Sequence, residues 1–164
     1  MDRHTKNKKL ISTLRRAMYD FSESSVRKAL DGLFISEPIF RLSYPFGEKT
    51  GVENFYKNVL APFLWSLPDL ERRDTIVMAG ATQENSDWVG CCGYYTGTFS
   101  NSWLDIPPTG NQVAMRFHEF YRFEDNRVTE VQALWDIPEL MMQAGAWPMA
   151  PSLGREWQVP GPAT

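Results

Sequence analysis

Residues 116–146 read RFHEFYRFEDNRVTEVQALWDIPELMMQAGA and place two carboxylates in unlike surroundings. Glu119 stands among aromatics where the chain alternates. The odd positions are Val113, Met115, Phe117, Glu119, Tyr121 and Phe123, while Gln112, Ala114, Arg116, His118, Phe120, Arg122 and Glu124 fill the even ones. Successive side chains of a strand point to opposite faces, so Glu119 is expected to turn inward with the apolar row. A buried carboxylate is costly; it pairs with a cation or keeps its proton, and it is thereby a candidate acid or base. The plainer reading is a salt bridge to an arginine inside the fold or across a dimer.

Asp136 opens Asp136-Ile137-Pro138-Glu139, a D-x-x-E helix start with proline in the first turn. Asp136 is expected to cap the helix amides while Glu139 reaches back to the amide of residue 136. Backbone donors keep a carboxylate ionised, so Asp136 suits capping first and a weak base second. His118 is the third acid/base candidate, although it falls on the polar row, where a surface or interface role is the plainer one. Tyr19 and Tyr95 are possible phenol donors to a carbonyl oxygen. Trp103 and Trp135 are possible cavity-lining groups, and Phe117 and Tyr121 flank Glu119. Each of these aromatics also has an ordinary packing role.

The elements that must position these residues follow from periodicity. A helix is expected over Lys8–Phe21, with Leu10, Ile11, Leu14, Ala17, Met18 and Phe21 on one stripe. A second helix, SSVRKALDGLF, is capped by Ser22 or Ser24 and stops near Gly32; PIFRLSYPFG is extended chain and loop. The Thr50-x-x-Glu53 pair reads as the capping box of a third helix that Pro62 should kink. Alternation then marks strands at Glu71–Ala79, Trp88–Phe99, Gln112–Glu124 and Arg127–Trp135, with a Pro-rich loop, SNSWLDIPPTGN, between the second and third. Asp125-Asn126 reads as a tight hairpin turn. A short helix over Ile137–Ala144 follows, ended by Gly145. Residues 1–7 read as a solvated leader, 8–146 as one domain, and the Pro/Gly-rich 147–164 as an arm. Helices first and an antiparallel meander afterwards give an α+β domain, with the helices covering the concave face of a curved sheet. Such a sheet leaves a conical cavity, the default place for a site.

The 164 residues suit one core, and the net charge of −3 gives no electrostatic case for nucleic acid or an anionic membrane. Nothing approaches the roughly 20 apolar residues of a membrane span. Cys91 and Cys92 are adjacent, which disfavours a disulfide and fits a reducing cytoplasm. With His4 and His118 far apart, no metal site is expected.

Four stretches carry a family likeness: SLPDL at 66–70, YYTGTFSNSWLDIPPTGNQV at 94–113, FYRFEDNRVTEV at 120–131 and WDIPELMMQAGA at 135–146. In order and spacing they resemble the SnoaL-like polyketide cyclases of the NTF2-like fold. The shared pattern is a PD after the third helix, a TGxF strand end, a PTG loop, an aromatic-Arg hairpin and a D-x-x-x-LxxQ(L)G ending. The resemblance implies a conical α+β barrel, commonly a homodimer, without metal or organic cofactor. It also implies ring closure by intramolecular aldol condensation, with a pocket aspartate as acid/base. Two positions depart from the pattern. Tyr95 stands where many members have a histidine before the TG turn, and Ala133 replaces the first acid of W-D-x-x-D, leaving Asp136 as the second.

Two functions are therefore expected to compete. One is an enzyme that removes a proton beside a carbonyl, with Glu119 or Asp136 as base and a tyrosine or the protonated partner on the enolate oxygen. Aldol cyclisation, isomerisation and dehydration all begin that way. The other is a small-molecule binding or interaction protein using the same cone. Tyr95 and Ala133 favour the second, and a buried Glu119 favours the first.

Overall fold

Asp2 caps the first helix, its carboxylate accepting from Thr5 N at 3.0 Å. The helix, α1, spans Arg3–Tyr19 in the computed structural model, which describes residues 2–150. The residues read as a leader are therefore largely its first turns, and Asn7 is buried. The apolar stripe behaves as its spacing requires, with Ile11, Leu14 and Met18 in the core. Ser22 caps α2 (Glu23–Leu33), which buries Val26, Leu30 and Leu33. The extended segment that follows is a strand, β1 (Phe34–Leu42), hairpinned to the short β2 (Glu48–Thr50).

The third helix starts differently from expectation. Its N-cap is Gly51 at φ 85°, with no side-chain cap, so the Thr50–Glu53 box does not form. Glu53 instead meets Arg27 of α2 at 2.5 Å. α3 (Val52–Phe55), a π-helical segment (Tyr56–Leu60) and α4 (Ala61–Ser66) follow without a break. Pro62 lies in the first turn of α4, where its missing N–H is accommodated by the wide turn before it.

Four long strands follow: β3 (Glu71–Ala81), β4 (Asp87–Thr98), β5 (Gln112–Glu124) and β6 (Arg127–Trp135). Asp125 and Asn126 both have positive φ, 46° and 66°, the pair of angles that a two-residue hairpin needs. The sheet order is β2-β1-β6-β5-β4-β3. All neighbours are antiparallel except β1 and β6, which run parallel, so the sheet is mixed where an antiparallel one was expected. The reason is that α2 delivers β1 to the far side of β6 as a sixth-strand partner. The sheet is curved and not closed.

A bulge between Asp74 and Ile76 of β3 sets which residues face inward. It keeps Arg72 and Asp74 inside and turns Ile76 and Met78 out, each more than half exposed. The backbones crowd there: a Cβ on Gly93 would lie 2.0 Å from the Arg73 carbonyl oxygen. The PD and TGxF motifs are one corner. Asp69 accepts from Thr98 N at 2.6 Å and Thr98 Oγ1 at 2.7 Å, close enough to Gly97 that only a missing side chain fits easily. In the Pro-rich loop, Leu104 and Asp105 turn the chain back so that Trp103, Ile106 and Phe99 are buried.

The last helix, α5 (Ile137–Gln143), completes the sheet by side chain. β6 stops at Trp135, opposite Phe117, leaving residues 112–116 of β5 without a partner strand on that side. Glu139 Oε2 accepts from Arg116 N at 3.0 Å, and Gln143 both accepts from Ala114 N at 3.0 Å and donates to Ala114 O at 2.6 Å. Two side chains one helical turn apart thus stand in for a strand. Asp136 caps α5 as expected, accepting from Glu139 N at 3.2 Å. Glu139 does not reach back to residue 136, because β5 takes its carboxylate; the residue 136 amide goes to Arg116 O at 2.9 Å. The arm expected over 147–164 lies outside the described residues from 151 onward.

Candidate functional site

The odd row of β5 is buried from Val113 to Phe123, so Glu119 does point inward. It does so with company. Arg72 Nη1 donates to Glu119 Oε2 at 2.6 Å, and the Tyr121 hydroxyl donates to the same oxygen. Tyr95 Oη and Trp135 Nε1 donate to Oε1 at 2.7 Å and 2.8 Å. A carboxylate offers about four lone-pair positions, and here each oxygen has two donors. Small neighbours make room for this: Cys91 and Ala133 are the residues paired across from Glu119 on the adjacent strands.

Arg72 is the centre of the arrangement. Besides Glu119, it donates through Nε and Nη2 to the two oxygens of Asp74, each at 3.1 Å, and through Nη1 to Tyr121 Oη at 3.1 Å and Tyr95 Oη at 3.3 Å. Its guanidinium also lies 4.4 Å from the Phe117 ring centroid. Arg15 of α1 closes the chain, with Nε 3.1 Å from Asp74. Burial works against the Arg72 charge, but Glu119, the two phenols and Asp74 outweigh it and hold its pKa well above the ordinary value. Burial also pushes Tyr95 and Tyr121 well up, with the Glu119 charge acting the same way and Arg72 opposing. Both therefore stay phenols, which are hydrogen-bond donors. Burial likewise pushes the neighbouring Cys91 thiol up to about 12, so it is inert as a nucleophile at neutral pH.

These groups line one end of an enclosed space whose remaining walls are apolar, among them Leu14, Met18, Phe40 and Leu60. Its volume is about 20 Å³, room for one water molecule. A larger ligand has to displace side chains, and the walls that belong to no strand are Leu14 and Met18 of α1, Leu30 of α2, Phe55 of α3 and Leu60 of the π-helical segment.

Of the residues singled out in the sequence, Glu119, Tyr95, Tyr121, Phe117 and Trp135 meet at this point. Trp103 stands behind them, packing on Phe63 at 4.7 Å and Trp135 at 6.5 Å between ring centroids. Three others do not join. His118 sits on the even row, on the outer face, where Nδ1 is 3.1 Å from Cys92 Sγ. Asp136 is occupied as a helix cap. Tyr19 is 53 % exposed at the end of α1, outside the cavity. The sequence reading missed Arg72, Asp74 and Arg15. The signal was there, since a carboxylate on an apolar row demands a cation, and Arg72 and Asp74 share a face at i, i+2 of an expected strand.

A profile of the family described as "SnoaL-like polyketide cyclase" matches residues 12–144. Among solved structures, AclR of Streptomyces galilaeus, provisionally named a hydroxylase, superposes with a TM-score of 0.73 and 21% identity. That match covers 92% of this chain and 91% of that one. A protein of Jannaschia sp. CCS1, provisionally named a SnoaL-like polyketide cyclase, gives 0.71 and 20% over 91% and 99% of the two chains. IdmH of Streptomyces antibioticus, provisionally named a polyketide cyclase, gives 0.68 and 19% over 85% and 98%. At these identities the structures speak for the fold. No curated protein matches the chain.

Proposed function

The chain belongs to the SnoaL-like polyketide cyclase family, and from that premise we propose a cyclase-type enzyme that acts on a small, largely apolar carbonyl compound by acid/base chemistry. The observation that carries this reading is the contact of the Glu119 carboxylate with two buried phenols in one cavity. With all its lone pairs taken, Glu119 is masked in this arrangement. A ligand carbonyl that accepts the Tyr95 hydroxyl removes that donor from Glu119 Oε1, and the freed lone pair can take a proton from the carbon beside the carbonyl. One hydroxyl rotation would thus both hold the developing enolate oxygen and unmask the base. In an aldol closure the enolate carbon then bonds to a second carbonyl carbon of the same molecule. The new alkoxide recovers the proton from Glu119, so the cycle balances with no cofactor. Arg72 holds Glu119 and both phenols in place and is a positioning residue.

A second reading, a binding protein using the same cavity, has its own support. Asp136, the surviving acid of the family pattern, is committed to capping, Ala133 carries no acid, and Glu119 already has four donors. The two readings separate in one experiment: proton–deuterium exchange beside the carbonyl of 2-tetralone in D2O, followed by NMR. The enzyme reading expects exchange above background for the parent, background rates for Glu119→Gln, and a reduced rate for Tyr95→Phe. Binding of 2-tetralone with exchange at background for the parent would favour the second reading.

A further inference from the structure

A second concavity lies on the other side of Arg72. It is an open groove of about 520 Å³ between the C-terminal half of α1 and β3, bordered by Ser12, Arg15, Arg16 and Tyr19 on the helix and Arg72, Arg73 and Asp74 on the strand. We propose that this groove binds the carboxylate of an amphiphilic organic acid between the guanidiniums of Arg16 and Arg73, with the apolar body of the acid against the ring of Tyr19.

Three observations carry the proposal. The first is how little the two outer guanidiniums are used. Arg73 spends Nε and Nη2 on Glu71, at 2.9 Å and 2.7 Å, which leaves Nη1 without a partner among the described residues. Among the described residues Arg16 has a single side-chain hydrogen bond, from Nη2 to Ser12 Oγ at 3.3 Å. The second is the count of charge. Four arginines border the groove, and among the described residues the carboxylates in contact with them are Asp74, Glu71 and Glu119. One positive charge is in excess, which suits a single carboxylate and not a polyanion. The wider field points the same way: six of the 17 lysines and arginines lie on α1, and none of the 20 acidic residues does. The third is the exposed Tyr19 ring, 5.9 Å from the Arg73 guanidinium, a flat apolar surface beside the charge.

The groove and the enclosed cavity share Arg72 as a common wall. Leu14 and Met18 wall the cavity from the same helix that carries Arg16 and Tyr19 into the groove. An acid anchored in the groove therefore has its body against the helix that supplies Leu14 and Met18 to the cavity wall. The inference rests on the cyclase-type reading in naming this acid as the class of substrate, but the site itself can be tested without turnover.

The test is an NMR titration of the full chain with 2-naphthoate and with its neutral isostere 2-naphthamide, for the parent and for Arg16→Gln/Arg73→Gln. Arg16 is exposed and Arg73 is half-buried with Glu71 as its ion-pair partner, outside the buried Glu119 network, so the double variant should fold as the parent does. The naphthoate should bind at least about tenfold more tightly than the amide, should lose about that factor in the double variant, and should weaken with added salt. Resonances of Tyr19 and Ser12 should move. Equal binding of acid and amide, full naphthoate affinity in the double variant, or no binding of naphthoate at about 10 mM would each overturn the site. If 2-tetralone exchange fails while naphthoate binds, the catalytic reading falls and the anion site stands.

Discussion

Glu119 is satisfied by four donors, and the cation that makes this possible, Arg72, is buried among aromatics with carboxylates on both sides. Breaking such a set by removing one partner leaves charges with no water to turn to. Arg72→Met is expected to cost about 3–5 kcal/mol, read from the denaturant midpoint, because it takes from the buried Glu119 its cation and leaves Asp74 with Arg15 alone. A midpoint close to the parent's would mean that the network is not dry. The phenols give a pH prediction. Their pKa values are raised in the fold, so their preference for the neutral form adds stability that is fully present below about pH 10 and is lost as the pH climbs through the folded values. Ultraviolet titration should therefore show no phenolate from Tyr95 or Tyr121 near pH 10 while the fold persists. The absorbance gained between about pH 9 and 10.5 should be the same in the Tyr95→Phe/Tyr121→Phe variant as in the parent. A smaller gain in the variant would show that these phenols ionise normally.

At the scale of elements, two short devices fix the strands that carry the site. The Asp125-Asn126 turn sets the β5–β6 register and hence the opposition of Glu119 to Ala133 and of Phe117 to Trp135. Asn126 at φ 66° tolerates the left-handed region, which a β-branched residue does not. Asn126→Gly should be nearly neutral, and Asn126→Val should lose about 1 kcal/mol or more. Equal denaturation midpoints for the parent and the valine variant would speak against the turn. The second device is α5, whose Glu139 and Gln143 replace the strand that β6 fails to supply beyond Trp135. Burial raises the Glu139 pKa, with the Arg116 amide opposing. That carboxyl therefore favours the fold most below its ordinary value of about 4.5, and loses this contribution as the pH rises through its folded value.

At the scale of the whole molecule, the outer face of the sheet carries two adjacent rows that water should not favour. Across β3, β4, β5 and β6 one row is Ile76, Cys92, His118 and Leu134, and the next is Met78, Gly90, Phe120 and Gln132. Ile76, Met78, Phe120 and Leu134 are all exposed on this face, and Met78 and Phe120 approach each other over Gly90. We propose that a second copy of the chain covers this face, in a two-fold dimer in which each face meets its twin. Phe120→Glu would place like charges at that contact. Sedimentation at micromolar concentration should show a dimer for the parent and a monomer for the variant. A monomeric parent would remove the proposal.

Alternation alone determined the strands of the second half of the chain: the boundaries Gln112–Glu124 and Arg127–Trp135, the hairpin between them and the inward side of Glu119 are as the residue order dictates. Side-chain period and turn chemistry are local, so a single sequence carries them. The same holds for the Asp136 cap and for the apolar stripe of α1. Other features depended on partners distant in the chain. The parallel seating of β1 beside β6, the failure of the Thr50–Glu53 box in favour of Arg27, and the diversion of Glu139 to β5 are all choices between a local partner and a remote one. A sequence shows the local option but not the remote competitor. The Asp74–Ile76 bulge shifts the parity of β3 by one residue, and that single shift sends Ile76 and Met78 outward. What Glu119 is bonded to was settled the same way. Its burial was legible from its row, but Arg72 lies 47 residues earlier and Trp135 sixteen later. Only the curvature and register of the sheet bring the three within hydrogen-bonding distance.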